Sequence, residues 1–362
     1  MHVRGVHMSV ISYKCPNCDG DLRFDPGTQK YKCEYCFSEF DQETLDAMKP
    51  DAATEQTVAE EHPEEQSGQA AEDKAVIYSC PSCGAEIVTD ETTAATFCYY
   101  CHNPVVLSGR LDGNDLPGHI LPFSVTKDQA ESQFLTFTRK KKFVPRNFFD
   151  KKQIEKLSGV YFPYWMLDSE MKGSISGEAT KVRTWIAGDN EYTETKFYHV
   201  ERGGSVQVND LTHIALKKAN SKLAEGIFPY DFAGLKKFSM SYLSGFLAEK
   251  KDIERNDIED SMKGEMKKYS EALMKEQIKG YSTVSVKNSD MRFTKEEFDY
   301  VLLPLWTLTY KGGNGKTYFY SINGQTAEIC GELPISWGRL VSTALAAAGV
   351  VFAIVLLLGY FL

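Results

Sequence analysis

Eight cysteines constrain this chain most strongly, because they form one motif written twice. Cys15, Cys18, Cys33 and Cys36 read C-x2-C-x14-C-x2-C, and Cys80, Cys83, Cys98 and Cys101 repeat the pattern 65 residues on. The same shift places Tyr13 on Tyr78 and Pro16 on Pro81, which marks an internal duplication. A two-residue spacer lets both sulfurs of a hook face one ion at about 2.3 Å, so each set predicts a tetrahedral zinc site. Four sulfurs close the coordination sphere, which predicts two structural Zn2+ ions and no catalytic one. Between the hooks, DLRF with KYK and AEIV with ATF alternate as short strands, giving zinc ribbons over 12–40 and 77–108. Gly20 and Gly84 follow the first hooks, where a tight turn often needs positive φ.

Paired cysteines mean metal in a reducing compartment, and the opening MHVRGVHMSV lacks the apolar core of a secretory signal. Leu340 to Leu362, LVSTALAAAGVVFAIVLLLGYFL, carries no charge. At about 1.5 Å per residue it reaches roughly 34 Å, enough for a single transmembrane helix over 340–362. Trp337 and Arg339 precede the run, which places its N-terminal side in the cytoplasm. The expected localisation is the cell membrane, single-pass, with cytoplasmic N-terminal domains.

The formal charge of -9 is concentrated, since residues 41 to 73 hold eleven acidic side chains against Lys49 alone. Poor in aromatic and β-branched residues, the segment 41–76 predicts a disordered acidic linker from which the first ribbon ranges freely. Residues 12 to 40 carry four basic and five acidic side chains, and 77 to 108 carry three acidic and no basic ones. A Zn(Cys)4 centre adds a formal -2 of its own, so the ribbons are poor phosphate clamps and nucleic acid is disfavoured as a partner.

Residues 119–334 predict an α+β domain with a mainly antiparallel sheet. Thr126 and Gln129 have capping-box spacing ahead of a helix whose face carries Ala130, Phe134 and Phe137. From Arg139 to Lys156 eight basic residues face two acidic ones, which reads either as a patch for anionic lipid headgroups or as a solvated helix end and loop. Residues 159 to 210 read as a meander of five short strands separated by Gly and Asn/Asp turns. Ile258, Met262, Met266, Tyr269 and Leu273 predict the buried stripe of a long helix. Val301, Pro304, Trp306 and Leu308 echo Val160, Pro163, Trp165 and Leu167, which suggests a second internal repeat. Gly312 to Thr317, GGNGKT, lacks the first glycine of a phosphate loop and reads as a hairpin loop. Cys330 reads as a packed side chain.

The double CPxC ribbon, GVYFPYWMLD, PYDFAGLKKFSMSYLSGFLAEK and YFYSINGQTAEICGELPIS resemble a family of bacterial membrane-anchored double zinc-ribbon proteins. Such proteins carry the labels transcription-factor-B-type zinc ribbon or primosomal helicase-like. The chain is also similar to the YdjG-type proteins, whose association with phage-shock protein A implies a phage-shock-type membrane complex in envelope stress. Through this resemblance all eight motif cysteines are implied as zinc ligands. The helicase label does not carry over, because the chain has no Walker motif. The expectation is a membrane-tethered, non-enzymatic adaptor that recruits protein partners. The alternative is a nucleic-acid-binding zinc-ribbon factor.

Overall fold

The computed structural model describes residues 10–47, 51–52, 76–79, 86–89, 92–97, 104–107, 115–145, 157–217, 219, 221–311 and 317–361. The N-terminal part comprises β1 (Val10–Ser12), β2 (Leu22–Asp25), β3 (Lys30–Cys33), β4 (Glu39–Phe40), α1 (Gln42–Ala47) and β5 (Asp51–Ala52). It continues with β6 (Val76–Ser79), β7 (Glu86–Thr89), β8 (Thr93–Phe97) and β9 (Pro104–Leu107). The larger part begins with β10 (His119–Ile120), α2 (Lys127–Arg139), β11 (Ser158–Ala187), β12 (Asn190–Ile214) and α3 (Ser221–Glu225). After β13 (Lys236–Lys237), β14 (Leu247–Glu249) and α4 (Arg255–Glu276) come β15 (Thr283–Lys311), β16 (Thr317–Asn323), β17 (Ile329–Gly331) and α5 (Trp337–Phe361).

The predicted five-strand meander is instead two long strands. β11 and β12 pair antiparallel from Tyr164↔Ile214 to Ala187↔Asn190, and β15 lies along the other edge of β11 from Ser158↔Thr307 to Thr180↔Thr283. Only Gly188 makes a turn, with φ +63 at the first position of a two-residue loop. Gly173 and Gly177 serve close approach: a Cβ there would stand 1.9 Å from the Asp290 carbonyl oxygen and 2.1 Å from that of Ser285. Both lie at or near bulges, where β11 and β15 shift register.

The echo between 160–167 and 301–308 is structural. β11 and β15 form the central antiparallel pair, and each receives a short parallel strand, β14 at Val160–Tyr161 and β10 at Val301–Leu302. The carbonyl oxygens of Pro163 and Pro304 accept from Ala215 N at 2.8 Å and Gly324 N at 2.9 Å. Ala215 O in turn accepts from the amides of Asp252 and Ile253, as Gly324 O does from Ser124 and Val125. Trp165 Nε1 donates to Ile253 O at 2.9 Å, and Trp306 Nε1 to Val125 O at 3.0 Å. Both helices that follow begin at capping boxes, Thr126 with Gln129 and Glu254 with Asp257. Two β-α-hairpin units therefore interlock about a pseudo-two-fold axis, each closing the other's core.

In the capping-box helix α2, Ala130 and Phe134 are buried as predicted, and Phe134 and Phe137 pack edge-on against Tyr320 of β16. α4 occupies the equivalent place on the long β11–β12 hairpin, but its buried stripe is Met262, Met266, Ser270 and Met274. Tyr269 and Leu273 of the predicted stripe are exposed, because straight i+4 steps fit this twisted surface where the 3-step does not. Phe123 stacks on Phe246 with centroids 4.2 Å apart and meets Tyr161 and Trp306, filling one face of the central pair. Tyr164, Leu303, Ile227 and Tyr230 fill the other.

The three-stranded sheet β2–β3–β4, which carries the first cysteine set, is docked on this domain. Phe24 N donates to Ser244 O at 3.0 Å, and Ser244 Oγ to Leu22 O at 2.5 Å. Tyr31, fully buried, donates to Ser241 Oγ at 2.9 Å and also meets Gln42 of α1, while Phe24 packs edge-on against Tyr242. α1 thus lies at the start of the expected linker, where Leu45 is buried, and β5 pairs with β1. The free-ranging first ribbon of the sequence reading is overturned by these contacts. Residues 53–75 of that linker lie outside the described residues. β8 and β9 join the large sheet between β14 and β1, whereas β6 and β7 form a separate pair.

Candidate metal centre

Two chain reversals of the same form bring the four cysteines together. Cys15 N donates to Gly20 O and Asp19 N to Cys15 O; in the second hook Cys33 N donates to Ser38 O and Phe37 N to Cys33 O. Asp19 and Phe37 occupy matching left-handed positions, each with φ of 60. Positive φ therefore falls on Asp19, not on Gly20 as expected. Gly20 is required for space, since a Cβ would stand 2.5 Å from the Tyr35 ring and 3.2 Å from Cys33 Sγ. Asn17 Nδ2 ties the hooks by donating to Ser38 Oγ at 2.8 Å.

The sulfurs of Cys15, Cys18, Cys33 and Cys36 all lie within 4.8 Å of one another, with Cys15–Cys36 and Cys18–Cys33 at 3.5 Å. A tetrahedron with metal–sulfur bonds of about 2.3 Å needs sulfurs about 3.8 Å apart, so the set fits one ion after a shift of a few tenths of an ångström. Cys15 and Cys33 are buried, and Cys18 and Cys36 face solvent. The Ser38 hydroxyl and backbone amide pull the Cys36 thiol down to about 6. The Gly20 amide draws Cys18 down, but the Cys36 and Cys33 sulfurs more than offset it and push the thiol up to about 12. Burial raises Cys15 as well. Without a cation the cluster cannot ionise fully, and a divalent ion removes that repulsion. With four sulfurs bound, no coordination position stays open for a substrate.

Cys80, Cys83, Cys98 and Cys101, together with Gly84 and His102, lie outside the described residues, as do 146–156 of the basic run and the loop 312–316. Cys330 stands apart from the cluster, its Sγ 3.8 Å from Lys222 O, and burial raises its pKa. Sequence reasoning missed the clamp formed by Asn17 and Ser38. It also missed the exposure of Tyr35 at 73% and Phe37 at 70% on either side of Cys36. The signal was present in the C-E-Y-C-F order, which places apolar rings on a reversal too small to bury them.

α5 is long and apolar enough to cross a membrane: an 18-residue window within Trp337–Gly359 reaches a mean hydropathy of 2.6, and none of that window is buried. Its foot is fastened to the segment after α2, with Ser336 N donating to Phe143 O and Arg339 Nη1 to Val144 O at 2.8 Å.

A protein of Bacillus subtilis (strain 168) described as uncharacterized protein YdjG is 28% identical over 344 residues, covering 95% of this chain and 96% of the relative. The likeness therefore extends over nearly the whole length of both chains. No protein family matches the chain, and no solved structure does.

Proposed function

We propose that the chain is a zinc-dependent adaptor, held in the cell membrane by α5, that recruits protein partners to the inner face of the membrane. The observation that carries this reading is the pair of exposed rings, Tyr35 and Phe37, on the metal-held reversal around Cys36. Large aromatic side chains anchored on a rigid loop lose little entropy on association and serve as hot spots. Phe24 and Tyr31 are already engaged with the large domain, whereas Tyr35 and Phe37 stay exposed and open to a partner.

Zinc is the proposed ion, since four thiolates in tetrahedral array suit it and its role would be structural. A second zinc is proposed at Cys80, Cys83, Cys98 and Cys101 from the repeated motif. Arg139, Lys140, Lys141, Lys142 and Arg339 cluster where α5 leaves the domain, which favours a cytoplasmic position for everything N-terminal of it. The proposed partner is a phage-shock-type membrane complex in envelope stress, as the family resemblance implies, and the role is not enzymatic.

Crosslinking and pull-down from membranes tests the reading, comparing the native chain with Tyr35→Ala/Phe37→Ala and with chelator-treated protein. The expected result is loss of partner capture in both while the chain stays in the membrane. Undiminished capture would move the partner site elsewhere. A salt-dependent shift of DNA by the native chain, lost in the double variant, would favour the nucleic-acid alternative.

A further inference from the structure

Sequence order separates Arg139–Phe143 from Arg339–Thr343 by some two hundred residues, yet the fold makes them the walls of one cleft of about 540 Å3. Its described lining holds four cations, Arg139, Lys141, Lys142 and Arg339, and no carboxylate. Two of the cations are positioned by the fold. Arg339 spends one N–H on Val144 O at 2.8 Å, which fixes its guanidinium while leaving a fork of donors. The Lys141 ammonium lies 4.7 Å from the centre of the Phe137 ring, which restricts its stem.

The opposite wall belongs to α5 itself. Ser342 and Thr343 line the cleft, their hydroxyls donating to Arg339 O at 3.1 and 2.7 Å, so they offer only lone pairs and the recognition falls to the cations. These two residues lie inside the uncharged run that begins at Leu340, and Trp337, 70% exposed, marks the interfacial level just before it. A ligand that fills the cleft touches both the basic segment and the first turn of the membrane-crossing helix. The amides of that first turn add a positive dipole end. A lipid headgroup seated here would have its acyl chains beside the apolar run of α5, which a free anion does not use.

We propose that this cleft, between the C-terminal end of α2 and the foot of α5, binds the phosphate of an anionic phospholipid headgroup. The proposal rests on α5 being a membrane span, and it narrows the lipid patch expected over 139–156 to a site completed by Arg339. Lipid bound there locks the foot of α5 to the segment 139–144 and so fixes how the domain stands on the membrane.

The test uses the full chain in phosphatidylcholine vesicles with trace spin-labelled phosphatidylglycerol or spin-labelled phosphatidylcholine, reading the motionally restricted fraction of each. The native chain should prefer phosphatidylglycerol by about fivefold, close to what one well-placed basic residue supplies. Lys141→Gln/Lys142→Gln, which leaves the Arg339 fastening intact, should bring the ratio close to one. Lys236→Gln/Lys237→Gln, an exposed pair on edge strand β13, should leave it unchanged. No preference in the native chain, or equal loss in both double variants, overturns the site. Abolition of the preference by millimolar inorganic phosphate would assign the cleft to a free phosphate and overturn the lipid assignment. Carbonate extraction of the same vesicles reports separately whether α5 is inserted, so failure of the anchor is distinguished from failure of the cleft.

Discussion

Cys33 is fully buried at the junction of β3 and the second hook, where its sulfur faces Cys18 at 3.5 Å and its amide holds the reversal. Serine there removes one ligand and leaves a hydroxyl that binds a soft ion poorly. Atomic emission analysis should find two zinc ions in the native chain, one in Cys33→Ser and still two in Cys330→Ser; fewer than two in the native, unoxidised chain would remove the second site. Lys251 is the other residue whose surroundings dictate an outcome. It occupies the place that Phe123 takes in the first unit, both amides donating to a tyrosine hydroxyl, Tyr300 and Tyr161. Its ammonium is buried, 2.7 Å from Glu254 and 3.0 Å from Asp115, beneath the Trp165 ring. Burial lowers the lysine pKa, but Glu254 and Asp115 more than offset that and hold it above its ordinary value. Burial raises Asp115, and Lys251 with Lys250 more than offset it and hold the carboxyl below its ordinary range. Asp115 therefore contributes stability that is present above about pH 4 and is lost as pH falls through its depressed folded value. Lys251→Ala should cost about 2 kcal/mol at pH 7 by denaturant unfolding, with the gap to the native chain narrowing below pH 4. An equal gap at both pH values would assign the cost to packing alone.

Among the elements, the β11–β12–β15 ribbon shows how far pattern reading reaches. The Thr126 capping box, the cysteine hooks, the apolar run at the C-terminus and the Val-Pro-Trp-Leu echo were legible, because each shows in a short stretch of sequence; the Glu254 box was not read. The single strand 158–187 was not. Gly173 and Gly177 look like turn residues, and only the partner strand shows that they are there to let Asp290 and Ser285 come close. The cleft at the foot of α5 was half legible, as a basic run, since Arg339 arrives through tertiary packing. Gly173 and Gly204 are cross-strand partners in one ribbon and give a paired test. A Cβ at Gly173 collides with β15 backbone, which has no rotamer to yield, whereas a Cβ at Gly204 meets nothing within 4 Å. Gly173→Ala should destabilise by about 3 kcal/mol or more, and Gly204→Ala should stay within about 0.5 kcal/mol of the native chain. Equal effects by thermal unfolding would mean that the two strands are not in this register.

At the scale of the whole molecule, two interlocked units and the docked β2–β3–β4 sheet complete their cores without help from α5. Phe123, Phe246 and Trp306 close one face, Tyr164, Ile227 and Tyr230 the other, and Tyr31 with Ser241 seals the β2–β3–β4 sheet onto the domain. α5 shares none of this burial, and its fastening through Ser336 and Arg339 lies before Leu340. Removing residues 340–362 therefore takes away an exposed apolar surface long enough to cross a bilayer, and it leaves each core contact in place. Arg139, Lys141 and Lys142 remain, and any hold they keep on anionic lipid is between exposed charges and fades when salt shortens the Debye length to a few ångströms. The truncated chain should wash from membranes in high salt, remain soluble, keep its zinc and unfold within about a degree of the full chain in detergent. Retention on membranes after the wash would place the anchor outside α5, and loss of zinc on truncation would show that the domain and the cysteine cluster depend on the helix for their fold.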